Sequence, residues 1–345
     1  LLRNPETLQP AMATLLRALS KPRASAMTPL HCIPKCNLHA ELGKHEYDGP
    51  SAKPSITMKS HHIDNTIWNE FETHPSDIYV NSSAKSGTTW VQEILSQFLY
   101  HGNILNIHDS SPWLAMAITP REEKLSNLQR QLGDPSFQRR IIKTHEPVEG
   151  IAFDPQTKHI FVARDFRDIV WSMYNHYSMF TDEAYEDFNA PREYSFRPLP
   201  RFNFEDGSFT ERDMFRMSLT EPDCHGNPDG WPWWSQLWVI GSWWNVRDLP
   251  NVKVLHYNNL KEDLATNMKS IAEFCEIEVD KNNFERAVQA CTFEAMKARK
   301  VAPVPTAMEG VFFKDQTKFL NKGKQGRWQG VLTEEDNELY RTVAS

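Results

Sequence analysis

The sequence predicts an α/β fold in which a central parallel sheet is covered by helices on both faces. Two observations support this fold class. Short apolar stretches of strand length alternate along the chain with longer segments whose apolar residues recur at helical spacing. In two places a polar turn leads directly from a strand into a helix. This alternation is typical of strands joined by crossover helices, which makes neighbouring strands parallel.

The predicted strands cover residues 77–82, 140–143, 159–163 and 252–257. The first is followed by a helix over 88–100, because apolar residues recur along one face of that segment. The third is followed by a helix over 165–177, with Asp165 as its N-cap and Asp168 as the N3 partner. Further helical segments are expected between the fourth strand and residue 300.

Two segments do not follow this alternation. Residues 1–60 are rich in Pro, Ser, Lys and His, and they are predicted to form an irregular N-terminal extension to a domain over 61–345. Residues 178–230 show few periods and are predicted to be a long insertion, of the kind that often serves as a lid or binding loop. The insertion carries 12 acidic and five basic residues, which indicates either a solvated surface or a preference for a cationic ligand.

Composition excludes several classes of protein. A formal net charge of −7 argues against a general nucleic-acid binder. No apolar run approaches the roughly 20 residues of a membrane span, so no membrane partner is expected. Five scattered cysteines are typical of a reducing compartment, and we predict a cytoplasmic protein. Cys32 and Cys36 match no standard zinc spacing, so no metal is expected.

The strongest local motif is S-A-K-S-G-T-T-W, at residues 83–90, between the first strand and its helix. Backbone amides and the dipole at a helix start favour an anion, and Lys85 adds a positive charge. Gly87 lets a phosphate approach the backbone closely. The alternative is an ordinary tight turn. The lysine precedes the glycine, so the motif is not a Walker A loop, and the nucleoside-triphosphate interpretation loses its main support.

A second motif, Lys143-Thr144-His145, ends the second strand. Ligands of doubly wound sheets bind at the carboxyl ends of strands. A lysine and a histidine at that edge suit an anion contact and a general base. The alternative is a structural histidine.

A third motif begins with Arg164, directly after the third strand, and reaches Ser172 two helical turns later. An arginine can bind a second phosphate through a forked contact, and a serine can donate its hydroxyl. The alternative is a solvated helix start.

In this order the three motifs closely resemble those of the cytosolic sulfotransferase family, whose loop usually reads P-K-S-G-T-T-W. The resemblance runs from about residue 77 to 338, interrupted by the predicted insertion. It implies a P-loop-like three-layer fold. It also implies transfer of a sulfuryl group from PAPS (3′-phosphoadenosine 5′-phosphosulfate) to a hydroxyl or amine of a small-molecule acceptor, leaving PAP and using no metal.

The resemblance also implies contacts to the nucleotide. Arg164 and Ser172 fall on the contacts to the 3′-phosphate, and Tyr257 and Phe293 on those to the adenine end. Trp90 falls on the tryptophan that stacks on the base. The implied loop for the 5′-phosphosulfate consists of Lys85, Ser86, Gly87, Thr88 and Thr89, and the closing loop near the C-terminus includes Lys322 and Gly323.

The resemblance assigns catalytic roles to three residues. His145 falls on the base that takes the acceptor proton. Lys85 would balance charge on the bridging oxygen of the leaving nucleotide, and Lys143 would stabilise the sulfuryl oxygens.

This chain departs from the family in two places. Asn321 stands where an arginine usually contacts the 3′-phosphate. The dimer motif K-x-x-x-T-V-x-x-x-E is reduced to Gln329, Thr333, Glu334 and Glu338, so two of its four positions are lost. We therefore expect a monomer or a non-standard dimer.

The acceptor is not identified by these motifs. Aromatic residues at Tyr177, Phe180, Trp231 and Trp233 are candidates for the wall of its pocket. Two other functions remain as alternatives. A P-loop small-molecule kinase would use ATP and magnesium, but the Walker A loop is missing. A non-catalytic nucleotide-binding relative would be expected to lack the base, yet His145 is present.

Overall fold

The computed structural model describes residues 50–103, 106–300 and 304–345. Within them, four parallel strands form one sheet in the order β2-β1-β3-β4. They are β1 (Ile78–Ser82), β2 (Ile141–Thr144), β3 (Lys158–Ala163) and β4 (Val252–His256). The fold class and the four strand positions predicted from the sequence are confirmed.

The helices lie between and after these strands. The α-helices are α1 (Thr88–Leu99), α2 (Ile107–Ser110), α3 (Arg121–Gln131), α4 (Phe166–Tyr177), α5 (Asp182–Asn189), α6 (Glu211–Thr220), α7 (Gln236–Asn245), α8 (Tyr257–Glu262), α9 (Leu264–Cys275), α10 (Lys281–Ala290), α11 (Phe293–Ala298) and α12 (Glu334–Val343). Single 3₁₀ turns occur at Asn65–Asn69, Val148–Gly150, Thr306–Met308 and Gln316–Lys318. None of the helices in the described ranges is long and apolar enough to cross a bilayer.

Both faces of the sheet are covered, so most of its side chains are buried, including polar ones such as Asn81, Ser82 and Thr144. Successive side chains of a strand point to opposite faces. Ile78 and Val80 therefore pack in one core cluster, with residues of α1, α9 and α10. Tyr79, between them, packs in the other cluster, with residues of α4 and α7. The sheet is thus the middle of three layers.

The register of the sheet brings three loops to one edge. β1 lies between β2 and β3, so that Asn81 is paired with Thr144 on one side and with Phe161 on the other. All strands are parallel, and their carboxyl ends therefore lie side by side. The segments that follow β1, β2 and β3 begin there, and these segments carry the three motifs identified in the sequence.

Residues 1–49 of the predicted extension lie outside the described residues. Its last residues pack against the domain, because Met58 is fully buried and its backbone N–H donates to Asn65 Oδ1 at 2.7 Å. Ser55 also donates a backbone bond to Glu149 O at 2.9 Å. Residues 55–60 are therefore part of the packed structure, and the boundary near residue 60 stays a prediction.

The predicted insertion, residues 178–230, contains helices α5 and α6. Helix α6 packs on α4 and is linked to α12, because Arg212 and Arg216 both bind the buried carboxylate of Asp336. This segment is thus anchored at both the middle and the end of the domain. Its description as an insertion stays a prediction.

The predicted capping of helix α4 is half correct. Asp165 is the N-cap, and its carboxylate accepts the backbone N–H of Arg167 at 2.9 Å. The prediction that Asp168 is its N3 partner was wrong. The carboxylate of Asp168 accepts the backbone N–H of Gly326 instead, at 3.0 and 3.1 Å. A long-range contact has therefore displaced the local one.

An ion pair lies at the amino ends of β1 and β2, opposite the end where the three motifs meet, and its loss should destabilise the fold. Arg140 donates from Nε and Nη2 to the two oxygens of Asp77, both at 2.7 Å, and both side chains are almost fully buried. Arg140→Ala leaves a buried carboxylate without its partner. We expect it to lower the free energy of unfolding by roughly 3–5 kcal/mol, measured by denaturant titration.

The control is Lys281→Ala, which breaks the exposed pair with Glu285. It should change the free energy of unfolding by about 0.5 kcal/mol or less. Equal effects of the two substitutions would contradict the prediction.

Candidate functional site

A cleft with a volume of about 250 Å³ opens at the carboxyl edge of the sheet. Its walls come from the three motif segments and from residues near the C-terminus. Of the residues predicted from the sequence, the cleft is lined by Lys85, Gly87, Thr88, Thr89, Trp90, Lys143, His145, Arg164, Ser172, Trp233, Tyr257, Phe293, Lys322 and Gly323. The structure thus brings together residues that are up to 238 positions apart (Lys85 to Gly323) in the sequence.

The loop between β1 and α1 has the backbone shape of an anion site. Gly87 is the N-cap of α1 with φ of +114°, and no side chain caps the start of this helix. The amides of the first turn are therefore not occupied by a capping side chain. Lys85 also has a positive φ, +60°, and its carbonyl accepts a bond from Arg164 Nη1 at 3.0 Å. This bond ties the first motif to the third.

Lys85 places its amine inside the cleft, and it forms no ion pair with a carboxylate of the residues that the structure describes. Its Nζ donates to His176 Nδ1 at 3.3 Å and lies 4.6 Å from the centre of the Phe319 ring. Burial lowers the pKa of Lys85 to about 7, and the nearby charges of Lys143 and Arg164 add to this effect. An anion bound in the cleft would reverse it.

His145 has the tautomer and the environment of a base. Its Nδ1 lies 3.1 Å from the carbonyl oxygen of Ser82, which can only accept, so Nδ1 carries the proton and Nε2 is the basic nitrogen. Burial lowers the pKa of His145 well below its usual value, and the charges of Lys143 and Lys85 lower it further. The imidazole is therefore neutral at pH 7, as a base must be before it acts.

Lys143 and Trp113 form the wall beside His145. The Nζ of Lys143 lies 5.6 Å from the centre of the Trp113 ring, and burial lowers the pKa of Lys143 to about 8. The Trp113 ring meets the His145 ring edge-on, with 4.9 Å between the centroids. An isolated parallel β-bridge pairs Trp113 with Lys143 and fixes this arrangement.

Arg164, just before α4, and Ser172, in the middle of α4, line the same cleft. Arg164 Nε is buried and has no hydrogen-bond partner among the described residues. The guanidinium lies 4.6 Å from the centre of the Tyr257 ring. The Ser172 hydroxyl also lines the cleft. A buried guanidinium nitrogen without a partner is costly unless a ligand satisfies it, so this part of the cleft suits an anion.

Three aromatic residues form the far end of the cleft. Trp90 and Tyr257 meet edge-on with 5.5 Å between their centroids, and Trp90 Nε1 donates to Cys291 O at 2.8 Å. Phe293 packs under Gly323, where an added Cβ would lie 3.0 Å from the ring. This end has the flat, apolar surfaces on which a heterocyclic base can stack.

The last wall is a closing segment, residues 319–328, and its backbone is bound at three points. Lys261 Nζ donates to Gly323 O at 2.7 Å, and Lys297 Nζ donates to Asn321 O at 3.0 Å. Asp168 holds the N–H of Gly326, as described above. The Asn321 side chain, which stands at the position of an expected arginine, donates to Asn175 Oδ1 at 3.0 Å. Two other cations of this segment, Lys324 and Arg327, line the cleft.

Four predicted site residues do not line the cleft. The Ser86 side chain is fully buried and shares a hydrogen bond with Ser83 at 2.8 Å. Tyr177 lies behind His62, Phe180 packs among Phe188, Phe312 and Phe313, and Trp231 stacks under Arg197. Tyr177, Phe180 and Trp231 are therefore buried outside the lining of this cleft, and their part in the pocket wall stays a prediction.

The sequence analysis missed several residues of the cleft and its support. His62, Trp113, His176 and Phe319 line the cleft, and Glu146 lies directly behind His145. The position of Glu146 next to His145 was the one signal that could have been used. The other four come from separate segments, and no local pattern marks them.

Comparison with known proteins gives a family for most of the chain. Residues 75–344 match the family model of the sulfotransferase domain. A glycolipid sulfotransferase of Mycobacterium tuberculosis is 28% identical, and the match covers 83% of this chain and 89% of that protein. Sulfotransferase 1B1 of the mouse is 27% identical, with 79% and 83% covered.

Two solved structures share the fold. Retinol dehydratase, in complex with androsterone and the inactive cofactor PAP, superimposes with a TM-score of 0.58 at 20% identity, covering 81% of this chain and 82% of that one. Mouse sulfotransferase SULT7A1, complexed with PAP, gives the same TM-score and identity, covering 81% and 85%.

Gly87→Ala should disable the anion loop. The substitution forces a residue with a Cβ into a φ of +114° and places that Cβ 2.9 Å from Tyr257 Cδ2. We expect the shift in melting temperature caused by PAP to fall to a small fraction of the wild-type shift. The backbone strain itself costs roughly 1–3 kcal/mol.

Gly207→Ala is the matched control, because Gly207 has a φ of +72° but no atom within 4 Å of an added Cβ. It should keep the full response to PAP. Loss of the response in both variants would show that an alanine at positive φ disturbs the fold as a whole, and it would contradict the assignment of the loss to the anion loop.

Proposed function

The chain belongs to the sulfotransferase family, and we propose that it moves a sulfuryl group from PAPS to a hydroxyl or amine of a small-molecule acceptor bound in the cleft. The observation that carries this proposal is that His145, with its Nδ1 bonded to Ser82 O, lines one cleft together with Lys85 and Lys143. A base and two cations around one space are what in-line transfer of an anionic group requires.

We assign the nucleotide to the end of the cleft that begins at the first motif. The amides and side chains of Lys85, Gly87, Thr88 and Thr89 would hold the 5′-phosphosulfate. Arg164 and Ser172 would hold the 3′-phosphate, which would satisfy the unpartnered Nε of Arg164. The assigned surfaces for the adenine are Trp90, Tyr257 and Phe293, under the closing residues Lys322 and Gly323.

In the proposed mechanism, PAPS supplies an activated sulfuryl group, and the protein supplies the base and the charge. His145 Nε2 accepts the acceptor proton while Nδ1–H stays bonded to Ser82 O. Lys85 stabilises the charge that develops on the leaving phosphate oxygen, and Lys143 stabilises the sulfuryl oxygens. The cleft is partly buried, so these charges act in a medium of low dielectric constant, where each is stronger than in water.

The acceptor would lie against the aromatic wall beyond His145. Trp113, Trp233, Met116, Phe188 and Phe312 line this part of the cleft. None of the acidic side chains of segment 178–230 is among the lining residues, so this segment gives the hypothesis of a cationic acceptor no support at the cleft. The cytoplasmic location stays a prediction.

The first test compares two nucleotides by thermal shift. PAP should raise the melting temperature of the purified protein, whereas ATP with magnesium at the same concentration should have little effect. A rise with ATP and magnesium alone would contradict the proposal and favour a kinase.

His145→Ala should separate catalysis from nucleotide binding. Without the base, we expect kcat with PAPS and a phenolic acceptor such as 2-naphthol to fall by about 10²–10⁴. The thermal shift with PAP should equal that of the wild type, because His145 is not assigned to the nucleotide. Loss of the shift would make His145 a structural residue.

Affinity for PAP should fall as the pH rises above 7. In the empty cleft the pKa of Lys85 is about 7 and that of Lys143 about 8, and a bound anion raises both toward their usual values. Below pH 7 both are already protonated, so binding takes up no proton. Above it, binding must take up protons, and affinity decreases.

Calorimetry at pH 8 in buffers of different ionisation enthalpy should therefore detect proton uptake. Lys85→Arg should reduce the uptake, since arginine stays protonated at this pH. Affinity that is constant from pH 7 to 9 would contradict the assignment.

A further inference from the structure

Glu146 is a buried carboxylate to which the proposed mechanism gives no role. It follows His145 directly, and its side chain is fully buried. Within the described part of the chain, it takes part in no ion pair. Buried carboxylates without a cation are rare because desolvation of the charge is expensive, so Glu146 requires an explanation.

Three N–H groups converge on the two oxygens of Glu146. Trp68 Nε1 donates to Oε1 at 2.9 Å. The backbone N–H of His145 donates to Oε2 at 2.7 Å, and Trp113 Nε1 donates to the same oxygen at 3.3 Å. Three donors around two oxygens suit the ionised carboxylate, since a carboxylic acid would turn its own proton toward donors. Two of these three donors belong to the base and to the wall beside it.

The carboxylate of Glu146 lies close enough to a side chain of the cleft to change its pKa. Burial raises the pKa of Glu146 above its usual value, and the bonds from Trp68, His145, Trp113 and Thr144 reduce this rise. The negative charge also raises the pKa of Lys124, which lines the cleft and whose pKa burial lowers to about 7. Glu146 is thus close enough to influence groups that a ligand would contact.

We propose that Glu146 is a positioning residue for sulfuryl transfer. Its carboxylate holds the backbone of His145 and the indole of Trp113 in place, and its negative charge stabilises the protonated His145 that the reaction forms. This inference rests on the function proposed above.

The charge balance of the proposed sulfuryl transfer shows why a negative charge is needed beside His145. As the acceptor oxygen bonds to sulfur, its proton moves to His145 Nε2, and the sulfur–oxygen bond to the nucleotide breaks with its electron pair on the phosphate. His145 becomes an imidazolium among groups that are cationic or can become so. These groups are Lys143 on β2, Lys85 on the anion loop, His108 on α2, His176 on α4 and His62 before β1. Glu146 opposes their combined effect.

The alternative is that Glu146 only ties Trp68 and Trp113 together as part of the core. A purely structural role predicts lower stability but an unchanged pH dependence. The proposed role predicts that the acid limb of the kcat/KM profile moves, because that limb reports the pKa of the base in the free enzyme. The pH profile therefore distinguishes the two.

The experiment uses three variants of the full chain, PAPS as donor and 2-naphthol as the probe acceptor. In Glu146→Gln the carboxylate charge is lost, so the pKa of His145 falls. We expect the acid limb to move to lower pH and the plateau of kcat/KM to fall roughly 10- to 100-fold. Glu146→Asp keeps the charge, so its acid limb should stay at the wild-type pH. The thermal shift with PAP should be unchanged in both.

Glu149→Gln is the matched control. Glu149 lies three residues further along and accepts a bond from Ser242 Oγ at 2.7 Å, away from His145 and Trp113. The same loss of a carboxylate there should leave kcat/KM and its acid limb as in the wild type.

The proposal is overturned if Glu146→Gln matches Glu149→Gln, or if the acid limbs of Glu146→Gln and Glu146→Asp move together. If Glu146→Gln does not fold, Trp68→Phe decides, because it removes one N–H from the carboxylate without touching the cleft. An acid limb at the wild-type pH in Trp68→Phe would then reject the proposal, and a displaced acid limb with an unchanged PAP shift would support it. A wild-type protein that neither binds PAP nor sulfates 2-naphthol would overturn the proposed function instead.

Discussion

The position of β1 between β2 and β3 is the constraint on which the site depends. Three segments that are distant in sequence meet because these strands are parallel and in register. The bond from His145 Nδ1 to Ser82 O joins the ends of β2 and β1, and it also selects the tautomer of the base. The bond from Arg164 to Lys85 O joins the third motif to the first. A shift of one residue in the β1–β2 pairing would remove the first bond, and the same shift in the β1–β3 pairing would remove the second.

Desolvation affects all the charged groups of the cleft. The cleft collects Lys85, Lys143 and Arg164 in a partly buried space, and burial lowers the pKa of each. These groups repel one another in the empty cleft, so an anion relieves an unfavourable arrangement when it binds. The same low dielectric constant keeps His145 neutral and makes the carboxylate of Glu146 influential. The proposed anion binding and the proposed catalysis thus both depend on the low dielectric constant of the cleft.

Local signals were enough to predict the fold class, the strands, the family and the sulfotransferase activity, all of which are confirmed. The strand ends and the loop around Gly87 need particular backbone conformations, and the residue types found there indicate those conformations. The partner of Asp168 and the wall formed by Trp113 could not be predicted, because they depend on contacts between distant segments. Tyr177, Phe180 and Trp231, which were predicted as wall residues, lie outside the lining of the cleft for a related reason. An aromatic side chain suits a core as well as a pocket, and sequence alone does not say which face it covers.

The closing segment is fixed through its main chain. The atoms that hold it are the carbonyls of Asn321 and Gly323 and the N–H of Gly326, while the side chains that bind them belong to other elements. The path of this wall is therefore independent of the identity of Lys322, Lys324 and Arg327. Other residues could replace those cations without losing the wall, just as Asn321 stands at the position of an expected arginine. In this segment the main-chain bonds set the shape of the proposed nucleotide site and the side chains set its charge, so one can change without the other.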